Sequence, residues 1–188
     1  MKYFNITRNH ELVLSEDIKY AQEVLKESIL DSITISGLEI VMFKEIKKSQ
    51  YHLEIILDDD KYSIYFILKN ITGSGWISKP KIRRIQVPNL MVTELGTVKI
   101  DEKMSLNMII GYYNFDDNPI FVGWDAYRYY NHKTLRSCYV SVDSLKRGYE
   151  KNFYEGVDSS QKIWIFTLDC FDKYLKSYLD YINMVGRN

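Results

Sequence analysis

The feature that most constrains the fold is a series of short segments rich in β-branched and aromatic residues. The segments 38–43, 51–57 and 61–68 have the composition and length of strands. Three consecutive aspartates at 58–60 separate the second segment from the third, and such a cluster is typical of a tight turn. The sequence therefore predicts a β-hairpin here, in a chain built mainly from strands.

Strand patterns recur in the second half of the chain. Gly111 and Gly123 interrupt two of them, which indicates a bulge, a bend or a close approach of the backbone to another element. The segments that fit strands are 108–113, 120–124, 139–142, 152–156 and 162–166, and the first two, joined by a turn at 114–119, form a second predicted hairpin.

Helical patterns lie near both ends. Residues 15–33 and 168–184 have apolar residues at helical spacing, with Ser15 as a candidate N-cap, and 143–148 fits a short helix. We predict an α+β fold of mostly antiparallel strands with flanking helices. The predicted organisation is one compact domain with an N-terminal helical segment, a β-rich core and a C-terminal amphipathic helix, at 1–36, 37–167 and 168–188.

Composition restricts the possible functions. The 188 residues carry 25 basic and 25 acidic side chains, so the formal net charge is zero. This excludes a uniformly basic nucleic-acid binder, and any contact with nucleic acid must use a local patch. Two cysteines and three scattered histidines give no disulfide framework and no zinc-ligand spacing. We expect no cofactor and no metal.

Other motifs are missing from the sequence. It contains no P-loop, no dinucleotide-binding glycine motif and no nucleophile elbow. The N-terminus has no continuous apolar region, and no run approaches 18 apolar residues. We therefore expect a cytoplasmic protein that does not contact a membrane.

A local excess of positive charge lies at 73–88. No acidic residue occurs from Tyr62 to Thr93, whereas five cations do. Arginine and glutamine can bind phosphates and also read base edges with two hydrogen bonds. Because strand residues alternate, Arg84 and Gln86 share one face, and Arg83 points to the other. A solvated edge strand is the alternative interpretation.

A second stretch, 125–137, mixes three tyrosines with basic side chains. Aromatic and cationic side chains combined in this way suit base stacking and phosphate binding. The alternative is a short helical turn whose tyrosines pack inward.

The order of these short motifs resembles a family of DNA-recognition modules. Gly73-Ser74-Gly75, Arg83-Arg84-Ile85-Gln86, Ile110-Gly111-Tyr112-Tyr113, Ile120–Asp125 and Ser137–Ser141 follow one another as in the B3-like domains of restriction endonucleases, including LlaJI-type relatives of the McrBC system. The resemblance covers about residues 60–167. It implies an open pseudobarrel that binds double-stranded DNA as the non-catalytic recognition module of a phage-defence restriction system. A nuclease or NTPase subunit would then be its partner.

Side-chain chemistry selects the candidate contacts within this picture. Lysines would bind phosphates, and arginine, glutamine and asparagine would bind base edges or phosphates. The candidate DNA-binding residues are Ser74, Trp76, Lys79, Lys81, Arg83, Arg84, Gln86, Arg128, Asn131, Lys133 and Arg136.

Three alternative functions remain open at this point. A reader of methylated, flipped bases would use Trp76 with the tyrosines at 127, 129 and 130. A metal-dependent nuclease of the PD-(D/E)XK type would use the aspartates at 58–60 with Lys69. Ile67 stands where that motif requires an acidic residue. A protein-interaction module would use the tyrosine-rich surface.

Overall fold

The computed structural model describes residues 1–87, 105–129 and 136–185. Within these ranges the chain forms twelve strands, three α-helices and a 3-10 turn at Ala126–Tyr129. The strands are β1 Tyr3–Ile6, β2 Leu12–Ser15, β3 Glu39–Lys47, β4 Gln50–Leu57, β5 Asp60–Asn70, β6 Thr72–Gly73, β7 Ile82–Val87, β8 Ser105–Asn114, β9 Pro119–Trp124, β10 Arg136–Ser141, β11 Phe153–Asp158 and β12 Gln161–Phe166. The helices are α1 Gln22–Ile35, α2 Val142–Lys151 and α3 Phe171–Met184.

The largest element is an open seven-stranded sheet in the order β11-β12-β9-β8-β5-β4-β3. Both predicted hairpins are part of it: β4 pairs with β5 through the turn at Asp58 and Asp59, which have positive φ, and β8 pairs with β9. Strands β5 and β8 are parallel, whereas the other described neighbours are antiparallel. A smaller sheet has the order β10-β7-β6, and β1 pairs with β2.

The large sheet separates two hydrophobic cores because successive strand residues point to opposite faces. One core lies under α1 and α3 and includes Phe66, Phe121, Trp164 and Phe166. The second lies under α2, β1 and the smaller sheet, and it contains alternate residues of the same strands, such as Val122 and Ile165. The fold therefore has three layers, with the smaller sheet on the side opposite α1 and α3.

Close packing explains the glycines within β8 and β9. A Cβ atom at Gly111 would lie 2.6 Å from the Ile71 side chain, and one at Gly123 would lie 2.5 Å from the Tyr174 ring. The predicted close approach to another element is thus present at both positions.

The N-terminal part differs most from the prediction. Helix α1 begins at Gln22 rather than after Ser15, and Ser15 ends β2 of a hairpin that the sequence pattern did not indicate. The α+β composition is as predicted and the sheets are open, but the layered arrangement does not confirm a B3-like pseudobarrel. Among the described residues, no helix has the length and apolar character needed to cross a membrane.

Candidate nucleic-acid interface

The smaller sheet positions the central residues of the basic stretch. In its register, Arg84 of β7 lies opposite Tyr139 of β10 on one side and Thr72 of β6 on the other, and Gln86 lies opposite Ser137. The alternate residues Ile85 and Val87 of β7, with Cys138 and Val140 of β10, are buried in the core. Arg84, Gln86, Ser137 and Tyr139 therefore share the face that points away from the core. We call this the outer face.

Side chains on the outer face are accessible to a ligand. Gln86 is exposed, and Arg84 and Tyr139 are partly exposed. Directly opposite residues in an antiparallel pair have Cα atoms about 4.5–5.5 Å apart, and residues two apart along a strand are separated by about 7 Å. The outer face thus presents a guanidinium, a side-chain amide, a phenol and a hydroxyl within a patch of about one nanometre.

The loop at residues 74–81 lies beside this patch. The Trp76 ring is stacked on the Tyr139 ring with 5.1 Å between centroids, and the Lys79 ammonium lies 4.9 Å from the Trp76 ring centroid. Ser74 is buried, and its hydroxyl oxygen accepts a hydrogen bond from the Trp76 backbone N–H at 3.2 Å. Ser74 therefore holds the loop in place and is not available as a surface contact.

An open groove of about 790 Å³ lies between this loop and the β11–β12 turn. Its walls are mainly apolar but include two lysines from the loop and two serines from the turn. The lining residues are Phe4, Trp76, Ser78, Lys79, Pro80, Lys81, Ile82, Tyr139, Ser159 and Ser160.

Three lysines near the outer face have different surroundings. Lys79 is exposed, and Lys81 forms an ion pair with Asp143 at 3.3 Å in which both side chains are about half exposed. Exposed pairs of this kind contribute little free energy, so Lys81 can exchange Asp143 for a phosphate. Lys69 donates a hydrogen bond to the Gln86 carbonyl oxygen at 2.9 Å, and burial lowers the pKa of its ammonium.

Arg83 occupies the opposite face of β7 and is 1% exposed. Its guanidinium forms an ion pair with Asp17 and donates hydrogen bonds to the Phe4 carbonyl oxygen at 2.7 Å and the Asn5 side-chain oxygen at 2.5 Å. Asp17 also accepts a hydrogen bond from the Gly73 backbone N–H at 2.7 Å. Arg83 thus joins the N-terminal hairpin to the smaller sheet, and its guanidinium is buried away from the outer face.

The second predicted contact region is only partly described. Arg128 is exposed and donates a hydrogen bond to the Ser160 carbonyl oxygen, which places it next to the groove. Arg136 is exposed at the start of β10, opposite Val87. Asn131 and Lys133 lie outside the described residues.

The aromatic residues proposed for a flipped-base pocket do not lie together. Tyr127 packs against the core under α1 and α3, whereas Tyr129 is buried in the core on the other side of the sheet. Tyr130 lies outside the described residues. Burial raises the pKa values of Tyr129 and of its neighbour Cys138, the latter to about 12, so both groups stay protonated at neutral pH. Trp76 has Tyr139 as its aromatic neighbour instead.

The residues proposed for a nuclease site are also separated. Asp60 and Lys69 lie near opposite ends of β5, and a strand rises about 3.3 Å per residue, so about 30 Å separates them. Asp58 forms an ion pair with Lys176 at 2.9 Å. Across ranges 1–87, 105–129 and 136–185, no group of three or more histidine, cysteine or acidic side chains could hold a metal ion.

Sequence reasoning missed Thr72, Ser137 and Tyr139 as members of the outer face. Tyr139 begins a predicted strand segment and Ser137 lies two residues before it, but nothing in the sequence indicates that β10 pairs with β7. The alternation of β10 was the available signal, since Cys138 and Val140 are apolar and their neighbours are polar.

Comparison with known proteins identifies a family for most of the chain. Residues 62–175 fit the model of the Methylase-associated X1 family, a span that extends from β5 into α3 and contains the outer face. No curated protein and no solved structure shows significant similarity to the chain. The chain belongs to the Methylase-associated X1 family, and this membership links it to methylase- and restriction-associated systems.

Proposed function

We propose that this protein is a DNA-binding module of a methylase-associated restriction system and contacts double-stranded DNA through its outer face. The observation that carries the proposal is the position of Arg84 and Gln86, side by side on an accessible strand surface. These are the side-chain types that read guanine and adenine edges in the major groove. The module has no catalytic role of its own, and a nuclease or NTPase subunit supplies the chemistry.

The spacing of the two side chains suits a duplex. Residues two apart on a strand are separated by about 7 Å, and successive base pairs are about 3.4 Å apart along the helix axis. Arg84 and Gln86 would therefore meet bases about two steps apart. A β-ribbon is among the elements that fit within the major groove.

Charge around the outer face supports the same assignment. Lys79 and Lys81 lie at its edge on the loop, and the segment from Tyr62 to Thr93 has no acidic residue. Each lysine that neutralises a phosphate releases about one condensed counterion. Binding should therefore weaken steeply as salt rises, although the net charge of the protein is zero.

Binding to a random duplex library, measured at increasing salt, tests the proposal. Unmethylated, cytosine-methylated and adenine-methylated libraries are compared, and the retained DNA is sequenced. We expect salt-sensitive retention and an enriched motif, and the methylated arms will show whether modification changes the motif. Absence of retention at low salt would contradict the proposal and favour a protein-interaction role.

Four variants then locate the contact on the retained motif. We expect Arg84→Ala to lower affinity by about 1–3 kcal/mol and to relax discrimination at one base pair, as loss of a two-bond base contact would. Arg84→Lys keeps the charge but not the two-bond geometry. It should therefore lose discrimination between base pairs but keep the salt slope, which is the slope of log affinity against log salt concentration. Lys79→Ala should lower the slope by about one. Lys173→Ala on α3, across the large sheet, is the control and should change none of these quantities.

A further inference from the structure

The groove beside the outer face has a lining that suits one particular ligand. We propose that it holds a single nucleotide outside a base stack, with the planar base against the aromatic wall and the phosphate between Lys79 and Lys81. This inference rests on the proposed function and extends it, because it assigns a second, adjacent site for a displaced nucleotide. Free nucleotides have the same chemistry, and a mismatched duplex and a nucleoside monophosphate, used as separate probes, distinguish the two sources.

The aromatic wall provides the surface for the base. Trp76 is 42% exposed, and its ring is supported by the stacked Tyr139 ring, which belongs to the outer face. Phe4 and Pro80 continue the apolar lining. Every base has a flat π-face that can stack on an aromatic ring without sequence preference.

Lys79 indicates where the base would lie. Its ammonium lies 4.9 Å from the Trp76 centroid, so the ring is already used to hold a cation by its π-face. Lysine has a long side chain, and this one is exposed. A base can take the place of the ammonium over the ring, and the ammonium can then pair with the phosphate of the same nucleotide.

Charge complementarity supports a nucleotide rather than an apolar peptide. Lys79 and Lys81 line the groove, and Ser159 and Ser160 of the opposite wall belong to a turn held by Arg128, which donates a hydrogen bond to the Ser160 carbonyl oxygen. Asp143 is the acid paired with Lys81, and both are about half exposed. A phosphate between two lysines, a monoanion within a DNA strand and a dianion in a free nucleoside monophosphate, would compete with this exposed carboxylate.

Continuity with the outer face gives the groove access to DNA. Tyr139 contributes both to the groove wall and to the row that contains Arg84. A duplex bound on the outer face would therefore place its backbone at the entrance of the groove. A mismatched base is easier to displace than a paired one because less pairing and stacking is lost.

Tryptophan fluorescence and DNA affinity together test this proposal in the full chain. Trp124 and Trp164 are fully buried, so the exposed Trp76 should dominate any quenching by a stacked base. The probes are a fully paired duplex, the same duplex with one central mismatch, and deoxyadenosine monophosphate alone. The variants are Trp76→Ala and Trp76→Phe, with urea unfolding to confirm that each is folded.

We expect the mismatched duplex to bind more tightly than the paired one and to quench Trp76 fluorescence. Trp76→Ala should weaken mismatch binding by roughly fivefold to a hundredfold, the range for loss of one base–aromatic stack, and Trp76→Phe should retain most of it. Quenching by the monophosphate without any mismatch preference would support the site and identify free nucleotides as its ligand.

The groove proposal is overturned if none of the probes quenches Trp76 and Trp76→Ala binds both duplexes like the wild type. In that case, paired-duplex binding that still depends on Arg84 would leave the DNA-binding function intact. If the wild type bound none of the duplexes, the proposed function itself would be contradicted.

Discussion

The two faces of β7 carry neighbouring arginines in opposite surroundings. On the inner face, Arg83 is buried, paired with Asp17, and lies 5.4 Å from the Tyr113 ring centroid. On the outer face, Arg84 is partly exposed and has Thr72 and Tyr139 as cross-strand neighbours. The two residues have the same chemistry and are adjacent in the sequence, so only the alternation of the strand separates a structural arginine from a candidate DNA contact.

The inner face shows what a buried guanidinium requires. Asn5 accepts a hydrogen bond from Arg83 and another from the Tyr113 hydroxyl at 3.1 Å, and that hydroxyl accepts one from the Ile6 backbone N–H at 2.9 Å. Burial raises the pKa of Tyr113 to about 12, so the phenol remains a neutral donor. The groups that satisfy this buried charge thus come from β1, from β8 and from Asp17, and together they connect the N-terminal hairpin to the smaller sheet.

The largest effect is expected when this inner network is broken. Arg83→Met should lower the free energy of unfolding by about 3–5 kcal/mol, because Asp17 and Asn5 lose their buried partner. Arg84→Met is the matched control and should change it by less than about 0.5 kcal/mol. Urea denaturation measures both values. Adding Asp17→Asn to Arg83→Met should recover part of the lost stability, because it removes the unpaired charge. If Arg83→Met and Arg84→Met destabilised the protein equally, the contrast between the two faces of β7 would be wrong.

Two glycines, one beside the inner face and one beside Arg84 on the outer face, should give stability losses smaller than that of Arg83→Met when replaced by alanine. A Cβ atom at Gly73 would overlap the Tyr3 ring on the inner side, so Gly73→Ala should cost about 1–3 kcal/mol of stability through overpacking. At Gly75, a Cβ atom would lie 3.5 Å from the Arg84 guanidinium, an ordinary contact. The φ of +85° at Gly75 should therefore set the cost of Gly75→Ala, about 1 kcal/mol. Urea denaturation of both variants is the test, and a larger cost at Gly75 would reverse this order.

The last expected effect, at pH 7 as small as that of Gly75→Ala and smaller still in acid, concerns the end of the outer face near the groove. Burial disfavours the charged form of Asp158, but hydrogen bonds from Ser144 and Ser141 outweigh it and lower its pKa. A lowered pKa adds stability above the unfolded-state pKa of about 3.9, and this stability is lost as the pH falls through the folded-state value. Asp158→Asn should therefore cost about 1 kcal/mol at pH 7 and progressively less below about pH 4.

Urea denaturation of wild type and Asp158→Asn from pH 7 to pH 3 tests this expectation. Asparagine keeps one acceptor oxygen for Ser141 but places an NH2 donor where the other carboxylate oxygen accepts from Ser159. The change of the stability difference with pH, rather than its size at pH 7, therefore reports ionisation. A difference in stability that stays constant down to pH 3 would show that the charge of Asp158 is not the cause.

Much of the fold followed from local patterns. The Asp58–Asp60 turn, the β8–β9 hairpin, helix α3 and the loop that leads into β7 all have short-range signals of turn chemistry or periodicity. The N-terminal hairpin has no such signal because its strands contain only four residues each. Its position depends on contacts with residues distant in sequence, such as the hydrogen bonds from Arg83 to the Phe4 carbonyl oxygen and the Asn5 side chain.

The sequence by itself determined the strand-rich α+β composition, the absence of acids around the basic stretch, and the opposite orientation of Arg83 and Arg84. These properties follow from residue identity and from the two-residue period of a strand. Tertiary structure alone decided which of the two arginines is buried, which strand pairs with β7, and that Tyr139 supports Trp76. Such contacts join segments distant in sequence, and their selection depends on how the layers pack together rather than on any local preference.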